Sequence, residues 1–204
     1  MSKRAVTLLL LAILASASVA RAQASRDSLE SIVRVLSVDP ATGDPRSRFT
    51  FRESDLTPVI DLLERRLARD TGSPVERRPF VIEDARYDTG PVTAWNLVAR
   101  IEGTAGGDDA LLVTAHYDAI GVRDDGWYDA WRMMAAPGAD DNASGVAAAL
   151  EIARALRDAP PPFDVEFVLF SGEELGRLGS IDYNDDCDPD CAERILGVVN
   201  LDMI

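Results

Sequence analysis

Five short apolar runs, each of strand length and each set apart by turn-rich or helical sequence, most constrain how this chain can fold. They occupy residues 79–82, 96–101, 110–115, 165–171 and 196–202 and are rich in branched and apolar side chains. Between the third and fourth, Val146, Ala149, Leu150, Ala153 and Leu156 recur with a helical period, and Pro160-Pro161-Pro162 then stops the helix. Upstream, Leu29, Ile32, Val33 and Leu36 form one helical stripe and Leu56, Val59, Ile60, Leu63 and Leu67 a second, with a turn-rich loop at 39–48 between them. Strand, loop and helix in this succession specify an α/β fold with a mixed, largely parallel central sheet flanked by helices.

Sheets of that kind bind ligands beyond the carboxyl ends of their strands. The residues at those ends carry the chemistry. His116, the only histidine of the chain, follows the run at 110–115; Glu173 and Glu174 follow 165–171; Asp202 closes 196–202. Asp140 and Asp141 open the helix that starts near Ala143. Singly, each has an ordinary explanation, such as an acidic N-cap or first turn. Together they place imidazole nitrogen and several carboxylate oxygens on one edge, the donor set of a borderline divalent cation. Carboxylates crowded without a counter-ion raise one another's pKa and cost stability. A cation removes that cost. Arginine would too, but none lies within three residues of Asp141 or Asp202, and only Arg177 is near the glutamates, so a metal is the expected counter-charge.

The chain has 204 residues, enough for one domain with a sizeable core, and 21 basic against 35 acidic residues leave a formal charge of −14. The acidic excess grows once the first 22 residues are set aside, because they carry Lys3, Arg4 and Arg21 and no acid. Such a surface argues against nucleic acid and anionic lipid as partners. Lys3 and Arg4, the apolar run at 5–15 and Ala20-Arg21-Ala22 read as a signal peptide cut after Ala22. The run falls short of the ~20 residues of a spanning helix. A secreted or periplasmic protein with no stable membrane association after cleavage is therefore expected. Cys187 and Cys191 are expected to form a local disulfide; the alternative, a zinc pair, would be half a site.

Four segments, His116-Tyr117-Asp118, the stretch from Ala136 through Asp140-Asp141-Asn142-Ala143-Ser144-Gly145, Glu173-Glu174-Leu175-Gly176, and Asn200-Leu201-Asp202-Met203, resemble the secreted co-catalytic zinc aminopeptidases in content and order. That family includes bacterial leucyl aminopeptidases, aminopeptidase Y and glutamate carboxypeptidase, and the resemblance covers about Leu97 to the end. It implies a zinc-dependent exopeptidase acting on peptides, with two zinc ions per complete domain and a metal-bridging hydroxide. His116 and Asp202 would hold the first ion, Asp141 would bridge, and Glu174 would hold the second. Glu173 would be the general base, and Asp118 would orient His116 through its other ring nitrogen. The resemblance also implies a later histidine for the second zinc, and none follows His116. The chain therefore reads as C-terminally truncated, with little activity expected of it alone. Its expected organisation is a signal at 1–22, a helical segment at 23–72 and the N-terminal part of a catalytic domain at 73–204. Trp127, Tyr128, Trp131, Met133 and Met134 either line a pocket beside the metals or pack a long loop. Two alternatives stand beside the peptidase: a glutaminyl cyclase-like enzyme with one zinc, and a non-catalytic domain on the same scaffold.

Overall fold

The computed structural model describes residues 26–121, 125–187 and 189–204; the expected leader at 1–22 lies outside them. Two helices come first, α1 (Arg26–Ser37) and α2 (Glu53–Thr71), followed by β1 (Glu76–Ile82), β2 (Val92–Ile101) and β3 (Ala110–His116). After β3 come the short α3 (Asp125–Ala130) and the long α4 (Gly145–Asp158), then β4 (Asp164–Phe170). Helices α5 (Leu178–Asp185) and α6 (Pro189–Arg194) lead into β5 (Ile195–Asn200). Every apolar run read from the sequence contains a strand, although the last ends at Asn200 and leaves Asp202 beyond it, and the three amphipathic stripes are α1, α2 and α4.

The strands form one mixed sheet in the order β1-β2-β4-β3-β5. Its parallel part is the half that carries the candidate ligands: β3 pairs in parallel with β4 and with β5. The other half, β1 and β2, runs antiparallel, and β2 also opposes β4. The register places His116 opposite Phe170 and Thr114 opposite Asn200, so β3, β4 and β5 end on the same edge.

Alternation along the strands divides the core. On one face Val113, Ala115, Val165, Phe167 and Leu169 pack against Ile32, Leu63, Leu67 and Leu150 from α1, α2 and α4. The segment read as an N-terminal helical region thus shares a core with the sheet. On the other face Val98, Leu112 and Val168 meet Tyr183 of α5. A third cluster gathers Phe49, Phe51, Tyr87, Trp127 and Trp131, with ring centroids 4.9 to 6.3 Å apart. Trp127 and Trp131 are buried there and pack the loop, while Met133 is 87% exposed. Cys187 and Cys191 are joined by a disulfide, with a Cα–Cα distance of 5.3 Å.

Candidate metal centre

Three of the sequence-derived ligands come from three separate elements and meet at one point. His116 ends β3; Asp141 lies in the irregular turn Ala139–Ser144 that leads into α4; Asp202 lies two residues past β5. One donor atom from each falls within 4.8 Å of the other two. A tetrahedral zinc with bonds of about 2.0–2.2 Å holds its donors about 3.3–3.6 Å apart. The Nε2 of His116 is 3.1 Å from Asp141 Oδ1 and 3.7 Å from Asp202 Oδ1, which brackets that spacing. The imidazole is buried, while the two aspartate side chains are 46% and 41% exposed, so the point is reachable from solvent.

Local structure explains the convergence. Asn142, wholly buried, donates from Nδ2 to the Leu201 carbonyl at 2.9 Å, and its Oδ1 accepts from the amides of Gly145 (3.0 Å) and Met203 (3.2 Å). The amide of Leu201 donates to the Thr114 carbonyl at 2.8 Å. One amide side chain thus ties the start of α4 to the residues on both sides of Asp202. A Cβ on Gly145 would lie 2.4 Å from both Asn142 Oδ1 and the Leu201 carbonyl, so this crossing requires glycine. The Asp141–Asn142 peptide bond is cis.

Asp118 is a hub. Its fully buried carboxylate accepts from the backbone amides of Glu173 (3.2 Å) and Glu174 (3.3 Å) and from Thr50 Oγ1 (3.4 Å). Its Oδ1 is 3.5 Å from His116 Nδ1, at the outer limit of hydrogen bonding. The nearer acceptor for that nitrogen is the backbone carbonyl of Asp118, at 3.2 Å. Residue 118 therefore addresses the far side of the imidazole through main chain as well as side chain. Burial pulls the His116 pKa down, but the hydrogen bond to Asp118 and the fields of Asp118, Glu173 and Asp141 outweigh it, and the group is pushed up to about 9. The same acidic field also attracts a divalent cation.

The two glutamates part company. Glu173 shares the lining of a cavity of about 400 Å³ with His116 and Asp202. Burial holds its carboxyl above the usual carboxylate range; His116 opposes that shift, while Asp118, Asp202 and Asp141 reinforce it. Glu174 is buried outside the three-ligand group and lines a separate cavity of about 230 Å³ with Arg86, Tyr128 and Leu175.

Sequence proximity misjudged the counter-charges. Arg48, far from every acidic motif in the chain, lies fully buried beside them. Desolvation pushes its pKa down to about 10, against the fields of Asp118, Asp141 and Glu174. An arginine therefore does stand near the carboxylates, although its donors go to carbonyls: Nε to Pro137 (3.2 Å), Nη1 to Tyr117 (3.0 Å) and Nη2 to Gly138 (2.6 Å). The only signal in the sequence was its place at the head of the alternating Arg48-Phe49-Thr50-Phe51 run.

Comparison with known proteins bears on family and fold. The model of "Peptidase family M28" matches residues 96–204. Aminopeptidase YwaD of Bacillus subtilis is 38% identical over 96 residues, 47% of this chain and 18% of that protein. A "probable zinc metalloprotease" of Pyrenophora teres f. teres is 31% identical over 193 residues, 89% of this chain and 39% of the relative. The chain spans 18% to 42% of the length of the first curated relatives it matches. Among solved structures, a Zn-dependent exopeptidase from Parabacteroides distasonis superposes with a TM-score of 0.67 at 23% identity, covering 87% of this chain and 61% of that one. A glutaminyl cyclase from Fimbriiglobus ruber superposes with a TM-score of 0.69 at 24% identity, covering 86% and 60%. At such identities these two likenesses establish the fold.

Proposed function

Because the chain belongs to peptidase family M28, we propose that it is a zinc exopeptidase of aminopeptidase type, cleaving N-terminal residues from peptides. The observation that carries this reading is the meeting of donor atoms of His116, Asp141 and Asp202 within 4.8 Å of one another on the edge of the parallel strands. One imidazole and two carboxylates suit zinc, whose catalytic sites combine nitrogen and oxygen ligands and keep a position open. Bound zinc supplies Lewis acidity, polarising a carbonyl and acidifying water at neutral pH.

The chain's own residues do the rest. Glu173, on the wall shared with His116 and Asp202, takes the proton of the attacking water and passes it to the departing amine. Asp118 holds the backbone of Glu173 and the ring of His116 in fixed relation, so base and ligand keep their spacing. Glu174 would be the carboxylate for a second ion, with Asp141 shared between the two. The Cys187–Cys191 disulfide supports an oxidising compartment, consistent with a leader at 1–22 and a secreted or periplasmic location.

Likeness to glutaminyl cyclases is a matter of fold, whereas the Bacillus subtilis and Pyrenophora teres relatives, at 38% and 31% identity, carry peptidase names. The test is hydrolysis of an aminoacyl-nitroanilide by the whole protein, lost on chelation and restored by zinc. Glu173→Gln should lower turnover by at least about 100-fold with zinc content unchanged. Cyclisation of N-terminal glutamine without peptide hydrolysis would replace this reading with the cyclase one.

A further inference from the structure

The segment around Arg48 lies outside the residues matched by the family model, yet it is built into the site. Its backbone runs between the two ligand-bearing loops: the Arg48 amide donates to the Ala136 carbonyl and the Ala119 amide donates to the Arg48 carbonyl, both at 3.0 Å. Its guanidinium repeats the bridge, reaching Tyr117 on one loop and Pro137 and Gly138 on the other. Tyr117 is flanked by His116 and Asp118; Gly138 stands three residues before Asp141. Gly138 has φ +50, and a Cβ there would lie 2.6 Å from Arg48 Nη2 and 2.1 Å from the Asp141 carbonyl, so loop and guanidinium are fitted to each other. Thr50, two residues on, bonds the Asp118 carboxylate.

Resting on the reading of His116, Asp141 and Asp202 as a zinc centre, we propose that Arg48 is a positioning residue that holds the His116 and Asp141 loops at metal-binding spacing before any metal arrives. Three directional donors in one rigid plane can fasten three carbonyls on two loops; an ammonium offers a point charge on a flexible stem and cannot match that fork. A buried charge of this kind is costly unless its donors are satisfied, and here main-chain carbonyls take all three nitrogens. The arrangement is dedicated to the loops rather than to an ion pair.

The experiment compares the 204-residue chain with Arg48→Lys, which keeps the charge and loses the fork. Far-UV circular dichroism checks the fold, chelator competition gives zinc affinity, and the Co²⁺ absorption spectrum reports the ligand geometry. The expected result is a folded variant whose zinc affinity falls by about 10- to 100-fold, with an altered Co²⁺ spectrum. A folded variant with wild-type affinity and spectrum would overturn the role of Arg48 while leaving the zinc centre intact; a wild-type chain that binds no zinc would overturn both. Should the variant fail to fold, hydrogen exchange on the wild-type chain decides. The amides of Arg48 and Ala119 should be protected without zinc, and protection that appears only on adding zinc would refute the proposal.

Discussion

The two faces of the sheet are built to different standards, and the candidate site belongs to the less finished one. On the face under α1, α2 and α4, Leu63, Leu67, Leu150 and Phe167 have no exposed surface, and the strands contribute apolar side chains. On the opposite face the cover is α5, and the strands present Thr114, His116 and Asn200 beside Leu112 and Val198 along a cavity of about 400 Å³. The edge strand β5 leaves Val198 59% exposed. A closed, apolar face supplies stability and rigidity; the open one supplies access and polar groups. Ligands at the rim inherit positions from the first and solvent from the second.

Substitutions can break that contrast. Leu150→Ala on the closed face should cost about 2–5 kcal/mol, read as a lower midpoint in denaturant. An intermediate effect is expected at Glu151, whose largely buried carboxylate bonds Arg154 and Ser28 on the helical side. Burial raises its pKa, but Arg154 and Ser28 prevail and hold it below the usual range. A carboxylate depressed in the folded state adds stability above its unfolded pKa, and the gain is lost as pH falls through the folded value. Glu151→Gln should therefore destabilise by about 1 kcal/mol at pH 7, and the gap from wild type should close below about pH 4. Val198→Ala on the open face should change stability by no more than about 0.5 kcal/mol. Equal losses at Leu150 and Val198 would show that the two faces are not distinct.

Much of this architecture was legible in the chain. The strand runs and helical stripes follow from burial periodicity alone, and motifs at strand ends need only a parallel register to converge, which β3, β4 and β5 provide. What escaped were contacts that join distant segments through main chain. Arg48 reaches Tyr117 across 69 residues and Gly138 across 90, and its partners are carbonyls, which every residue possesses and which leave no trace in side-chain pattern. The lock made by Asn142 was hidden for the same reason, since it binds the main chain around Asp202. Turn-rich sequence at 39–48 masked the burial that begins at its end. The separation of Glu173 from Glu174 depends on a tight turn whose two side chains leave in different directions, a choice that adjacency cannot reveal.

X-ray absorption at the zinc edge, recorded on the zinc-loaded chain and on His116→Ala, tests the centre most directly. Nitrogen and oxygen scatterers are expected at about 2.0–2.2 Å, with one imidazole contribution that disappears in the variant. An unchanged imidazole contribution in His116→Ala, or sulfur scattering at about 2.3 Å, would place the metal elsewhere and contradict it.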